Sequence, residues 1–298
     1  MQDAAAHCER LVRSGDRDRF LAALFAPAEC RGALCALYAF NLEIARVREV
    51  AHGSVAGEIR LQWWSDVLAG KAHGGEAGHP VAAALLATIA RHKLSTVQLT
   101  ALINARRFDL YDEPMRTLGD LNTYADAVSS NLIRLSAQVI GGESAELEDL
   151  AHHAGLVYAF TALLQAFPVH ARRAQLYVPL EILDRHGAHR CDVSHLRATA
   201  GLRTALGEMR LIARQHLREA QRMQYTMMPR LVPAFLPVAL AGPVLARMER
   251  ADYDPFRPIE LSAWRRQWLI WRAARQPARL FAALSRIGKR KCLALPTA

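Results

Sequence analysis

Carboxylates run out before the chain does. After Glu260 there is no aspartate or glutamate, while Arg265, Arg266, Arg272, Arg275, Arg279, Arg286, Lys289, Arg290 and Lys291 supply nine positive charges. Most of the formal charge of +10 therefore lies in the last helix and the basic tail, 286–298. Such a patch suits an anionic lipid surface or an acidic protein. Nucleic acid is excluded, because the basic residues come without a recognised motif or a stacking platform. Lysine stands only at 71, 93, 289 and 291, so arginine supplies 34 of the 38 basic residues, the usage expected of a GC-rich bacterial genome. The five cysteines, at 8, 30, 35, 191 and 292, form no CxxC pair. An odd, scattered set of this kind, without a signal peptide, predicts reduced thiols in the cytoplasm.

Long apolar runs are also missing. The stretch 150–171 is interrupted by His152, His153, Gln165, Pro168 and His170, and 231–246 by Pro233, Pro237, Gly242 and Pro243. Both fall short of the roughly 20 apolar residues that a bilayer demands. The opening MQDAAAHCER has neither an apolar signal region nor the arginine-rich look of a transit peptide. Sustained alternation of apolar and polar residues is absent, and no Asn-Gly or Asp-Gly turn joins β-branched runs, so strands are not expected.

Helical signals fill the chain instead. Ala, Leu and Arg, all strong helix formers, predict helices over 18–25, 28–51, 58–69, 81–92, 95–110, 117–140, 146–167, 202–228, 231–251 and 261–288, with a short one around 179–186. Ser95 is placed to cap one of them. Glycines at 53, 70, 74, 75, 141 and 142 mark breaks. The run LVYAFTALLQAF within 146–167 is apolar on every face, so this helix belongs at the centre of a bundle. Pro168 should end or kink it, and Pro277 should kink the last helix. With no repeat and no long linker, residues 1–298 read as one all-α domain.

Four stretches in this order carry a resemblance: ALYAF at 36–40, INARRFDL at 103–110, Tyr124 in the next helix, and ARRAQLYVPLEIL at 171–183. Together they resemble the squalene/phytoene synthase family of head-to-head prenyl synthases, over residues 15 to 285. The resemblance implies an isoprenoid-synthase-type helical bundle with a central cavity for two allylic diphosphates. It also implies two DxxxD motifs that hold magnesium. The chemistry requires them: aspartates at i and i+4 share a helix face, magnesium wants oxygen ligands, and diphosphate leaves only when its charge is neutralised. Aligned through 38–40, the first motif falls on Ala45 and Glu49, with Arg46 and Arg48 between. Aligned back from 176–179, the second falls on Ala166 and His170. Alanine supplies no ligand, and imidazole suits softer metals.

FNLEIARVRE at 40–49 and EIRLQWW at 58–64 are similar to the family's non-catalytic branch, whose members assist assembly of respiratory complex I. Pro233–Pro237 and Asp252-Tyr253-Asp254 fit the same pattern. The resemblance thus implies a silent binding protein with no cofactor, engaging a respiratory-complex subunit or a prenyl lipid. The alternative is an active prenyltransferase on farnesyl or geranylgeranyl diphosphate, with magnesium and a rewired site. Pocket candidates are Tyr38, Glu43, Arg46, Glu49, Arg107, Asp109, Tyr124, Gln165 and His170; surface candidates are Arg60, Trp63, Trp64, Trp268 and Arg272. Arg46 and Arg48 either bind a phosphate group directly, guanidinium replacing metal, or, the favoured reading, Arg46 pairs with Glu43 or Glu49, three residues away on either side. Trp63 and Trp64 point about 100° apart, so one should be core and the other nearer the surface. His152, His153 and His170 lack partners at ligand spacing and predict no metal. Trp264, Trp268 and Trp271 form a stripe that either packs on the bundle or lies in a membrane interface. The location expected is cytoplasmic, either free or peripheral at the cytoplasmic face of the inner membrane.

Overall fold

The computed structural model describes residues 2–51, 53–71, 78–141 and 145–281. The tail 286–298, Gly74, Gly75, Gly142 and the last helix beyond 281 lie outside the described residues. Every regular element among them is helical. The chain opens with a helix not expected from its polar sequence, α1 (Gln2–Gly15). It is amphipathic: Cys8 and Val12, one turn apart, are fully buried. Asp16 then caps α2 (Arg17–Ala23) by accepting the Arg19 amide N–H at 3.2 Å.

The helix expected over 28–51 is two. α3 (Ala28–Ala45) stops at Arg46, whose φ and ψ of −96° and 2° leave helical geometry, and α4 (Val47–Val50) restarts at once. α5 (Ser54–Leu68), α6 (Pro80–His92) and α7 (Thr96–Arg107) follow, with Ser95 capping α7 through the Gln98 N–H. α8 (Leu118–Ala125) begins with a reciprocal capping box between Thr117 and Asp120. A π turn at Asp126–Ser130 carries it into α9 (Asn131–Ile140), which ends on Gly141 at φ 95°.

α10 (Ala145–Arg172) is the axis of the bundle, packed against α8, the π turn, α9 and the later helices over Ala200–Met223 and Ala241–Met248. Pro168 does not end it. A proline there removes one backbone hydrogen bond and costs about 3 kcal/mol, but Phe167 and Ala171 are buried on either side and hold the turn in register. α11 (Leu180–Arg185), α12 (Arg190–Ser194) and α13 (Ala200–Met223) lead to the proline-punctuated stretch. There α14 (Val232–Phe235) and α15 (Ala241–Met248) are joined by 3-10 turns. α16 (Ala263–Arg275) closes the described chain and is followed by a 3-10 turn at Pro277–Arg279. Two segments, Leu147–Arg172 and Pro229–Met248, are long and apolar enough to cross a membrane, but 61% and 89% of their most apolar windows are buried inside the bundle.

A close helix contact is made at Gly155 of α10. A β-carbon there would lie 2.4 Å from the Ser130 Cα in the π turn. Backbone cannot yield as a side chain can, so the Gly155→Ala variant should lose roughly 1–3 kcal/mol of stability. Urea denaturation followed by circular dichroism checks this; an unchanged midpoint would show that the two segments separate freely.

Candidate functional site

The residues singled out in the sequence form three groups around α3, α4 and α10. The first is the centre of the bundle. Tyr38 is buried there with Ser136, Tyr158 and Val238 around a cavity of about 10 Å³. That is room for about one water molecule. The space is occupied by Arg19, which sequence reasoning missed. Its guanidinium lies 4.7 Å from the Tyr158 ring and 5.9 Å from that of Tyr38, and its Nη1 donates to the Asp16 carboxylate at 2.6 Å. Burial opposes the arginine charge, but Tyr158 and Asp16 outweigh it and keep the group protonated. Burial pushes the Tyr38 hydroxyl up to about 12.

The second group lies where α4 meets the end of α10. Asp109, in a 3-10 turn after α7, is buried and accepts from three donors. The Tyr124 hydroxyl donates at 2.9 Å, the Tyr177 hydroxyl at 2.6 Å and Arg106 Nη1 at 3.0 Å. Burial pushes both tyrosine hydroxyls well above their ordinary range. The arginine in this network is Arg106, not the expected Arg107. One residue further on, the α7 helix has turned about 100°. Arg107 therefore points outward, pairing with Glu58 and donating to Gln62 Oε1 at 3.0 Å. The Arg106–Asp109 spacing of three was the signal that would have separated them.

Above this network His170 lies 4.6 Å from the Tyr177 ring. Burial holds its imidazole down at about 4, although Asp109 pulls the other way. Arg48 donates to the backbone carbonyls of Asp109 and Tyr111, at 2.8 and 3.2 Å, and to the Asp112 carboxylate at 2.6 Å. Glu49 accepts from Arg173 at 2.8 Å, bridging α4 to the end of α10. The pairing expected for Arg46 is not made. Glu43 faces His79 and Glu49 faces Arg173. The Arg46 guanidinium instead lies beside Gly15, its Nη2 3.1 Å from where a β-carbon would sit. This is the C-terminus of α1, where a positive charge is favoured. Gln165 donates to the Ile259 carbonyl at 2.7 Å, a tie between α10 and the loop before α16.

The third group joins α3, α5 and α6. Trp64 is fully buried and meets Phe40 edge-on at 5.0 Å, while Trp63 is half-buried and meets Trp64 at the same distance. The His79 ring touches both, and its Nε2 is 3.4 Å from the Glu43 carboxylate. Burial raises the Glu43 carboxyl, opposed by Arg60. On α16, Trp268 and Arg272 are together, the guanidinium 4.5 Å from the indole.

Magnesium needs several oxygen ligands in an octahedral arrangement. Ala45 and Ala166 offer none, Glu49 is engaged by a guanidinium, and His170 is an imidazole stacked on a tyrosine. These residues do not fit the ion. Among the described residues no cluster of three or more His, Cys, Asp or Glu side chains is placed to hold a metal, the histidines 152, 153 and 216 included.

An all-α bundle of isoprenoid-synthase type, with little space beside Tyr38 and a self-paired polar face, is thus the class defined by the geometry. The squalene/phytoene synthase profile matches residues 12–272, and the chain belongs to that family. It is 28% identical to complex I assembly factor 6 of Rattus norvegicus, over 86% of this chain and 77% of that protein. It is 26% identical to the phytoene synthase of Thermus thermophilus, over 91% and 93% of the two chains. The crystal structure of squalene synthase HpnC from Alicyclobacillus acidocaldarius superposes with a TM-score of 0.72 at 24% identity, covering 86% of this chain and 96% of that one, a likeness of fold.

Removing the Asp109 carboxylate strands the buried Arg106 charge, so Asp109→Ala should cost about 3–5 kcal/mol, read from urea denaturation. Tyr124→Phe, which leaves Asp109 two donors, should cost less. His170 gives a pH signature. Its folded value of about 4 lies below the ordinary 6.5, so as pH falls through 6.5 the unfolded chain gains a proton that the folded chain refuses. Stability should therefore decline between pH 6.5 and about 4, and the decline should be shallower in His170→Gln by differential scanning calorimetry.

Proposed function

We propose that this chain is a non-catalytic member of its family that works by binding, assisting the assembly of a respiratory NADH dehydrogenase complex. The observation that carries the first half is the pair of facing strips around Glu49 and Arg173. Where prenyl-diphosphate chemistry calls for a cluster of carboxylates and metal ions, these strips present Ala45, Ala166, a neutral imidazole and a closed guanidinium–carboxylate pair. Negative charge from a diphosphate would meet Arg48 and Arg173, but no group here withdraws the electrons of a breaking C–O bond as a metal does. The second half is supported by the complex I assembly factors among the relatives. Relatives named as enzymes favour catalysis, and the space beside Tyr38 weighs against it: about 10 Å³ there accommodates neither an allylic diphosphate nor a prenyl chain. Binding is therefore assigned to the outer faces of the bundle, among them the open, largely apolar cleft of about 640 Å³ lined by Phe108, Met115 and Tyr124, with no cofactor. The place of work is the cytoplasmic face of the membrane in which the complex is built.

Two measurements test this. Purified protein incubated with magnesium and farnesyl or geranylgeranyl diphosphate should give no squalene, phytoene or presqualene diphosphate by mass spectrometry; turnover at an enzyme's usual rate, on the order of 1 per second or more, would overturn the silent reading. Deleting the gene in its own host should lower membrane NADH:quinone oxidoreductase activity and leave succinate oxidation intact. Full NADH activity in the deletion strain would overturn the assembly role.

A further inference from the structure

The stripe Trp264, Trp268 and Trp271 does not pack on the bundle: the three residues are 69%, 44% and 49% exposed. The orientation of α16 is fixed from the other side. Leu269, Ile270 and Ala273 are buried, and Arg266 reaches inward, its Nε donating to the buried Asp18 carboxylate at 2.9 Å. At about 100° per residue, these four positions centre directly opposite the tryptophans, which with Arg275 share an arc of about 60°. The helix is thus two-faced by construction, and the face away from the core carries its largest apolar groups.

Charge identifies what that face meets. Arg265 and Arg272 flank the stripe on one side, and Arg275 lies within it. Arg272 sits 4.5 Å from the Trp268 ring and Arg275 6.0 Å from that of Trp271. From residue 261 to the end of the chain there is no carboxylate to neutralise them. Arg272 is only partly exposed: its Nε is buried without a hydrogen-bond partner, and burial together with nearby Arg279 weighs against its charge. Indoles rest at the level of lipid headgroups with their apolar bodies facing the acyl chains, and guanidinium groups pair with headgroup phosphates. A protein partner would need a deep acidic groove to receive three adjacent indoles. A bilayer offers the same chemistry on any flat patch.

We infer that the outward face of α16, built on Trp264, Trp268 and Trp271 with Arg265, Arg272 and Arg275, docks the protein on an anionic lipid bilayer. This deepens the assembly reading by naming the surface that would place the protein at the membrane, but its test needs only purified protein and lipid. Failure here would leave the deletion phenotype standing, and the reverse also holds.

The full chain should sediment with vesicles of mixed phosphatidylcholine and phosphatidylglycerol, far less with phosphatidylcholine alone, and less again as salt is raised. The emission of its tryptophans should shift to the blue on binding. Replacing the three indoles together (Trp264→Ala, Trp268→Ala, Trp271→Ala) should weaken partitioning at least tenfold. They are exposed, so the variant should keep its circular dichroism and melting point. Arg265→Gln with Arg275→Gln should flatten the salt dependence and lower binding about fivefold per charge. Three results would overturn the inference: no sedimentation with anionic vesicles, equal binding to neutral ones, or an unchanged partition of the triple variant, which would assign binding to another face or to the basic tail.

Discussion

A single buried carboxylate organises the polar half of this bundle. Asp109 gathers an arginine from α7, a tyrosine from α8 and a second tyrosine from the segment after α10. A carboxylate this deeply buried is tolerable only when its lone pairs are filled by donors and its charge by a cation. Arg106 supplies the charge and the tyrosines fill the remaining directions. The consequence is geometric: three segments distant in sequence must stop at fixed distances from one atom pair. Arg48 then clasps the backbone of the same turn, which brings α4 and its Glu49 within reach of Arg173. The turn that carries the buried charge thus also anchors α4, whose Glu49 pairs with Arg173 just beyond α10.

The bundle centre follows the same logic with opposite sign. Arg19 is a buried cation, satisfied by one carboxylate and by the faces of two tyrosines. Its long side chain fills volume that a cavity would otherwise leave, and its charge would be costly beside an apolar ligand. Fold and filling are therefore separable: the helices take the family's fold, and inside it Arg19, Asp16 and the two tyrosines satisfy one another.

The sequence made the helical class legible because period and composition agree along nearly the whole chain. The all-round apolar run near Phe160 placed α10 at the centre, and Ser95 marked a true cap. What escaped were features decided by the phase of a helix or by its partners. α1 was hidden because its inward face is thin and its remaining residues are polar. Arg106 and Arg107 are chemically identical neighbours, and only the packing of α7 decides which one turns inward. Glu43 and Glu49 both lie within reach of Arg46 on an unbroken helix; the break at Arg46 and the competing His79 and Arg173 took them elsewhere. The tryptophans of α16 show the limit most clearly. A stripe at helical spacing is the same pattern whether it faces a core or a bilayer, and the burial of Leu269, Ile270 and Ala273 was needed to choose.

The Glu49–Arg173 bridge has a further consequence. A metal clamp between two helices is a bound state: it is lost to chelators, competes with other ions and depends on concentration in the surrounding fluid. A guanidinium carried on the chain itself is always present at the high effective concentration that covalent tethering gives. The link that Glu49 and Arg173 make between α4 and the end of α10 draws no ion from the surrounding fluid. Both side chains are half-exposed, so salt screens the pair and a stronger anion competes for Arg173.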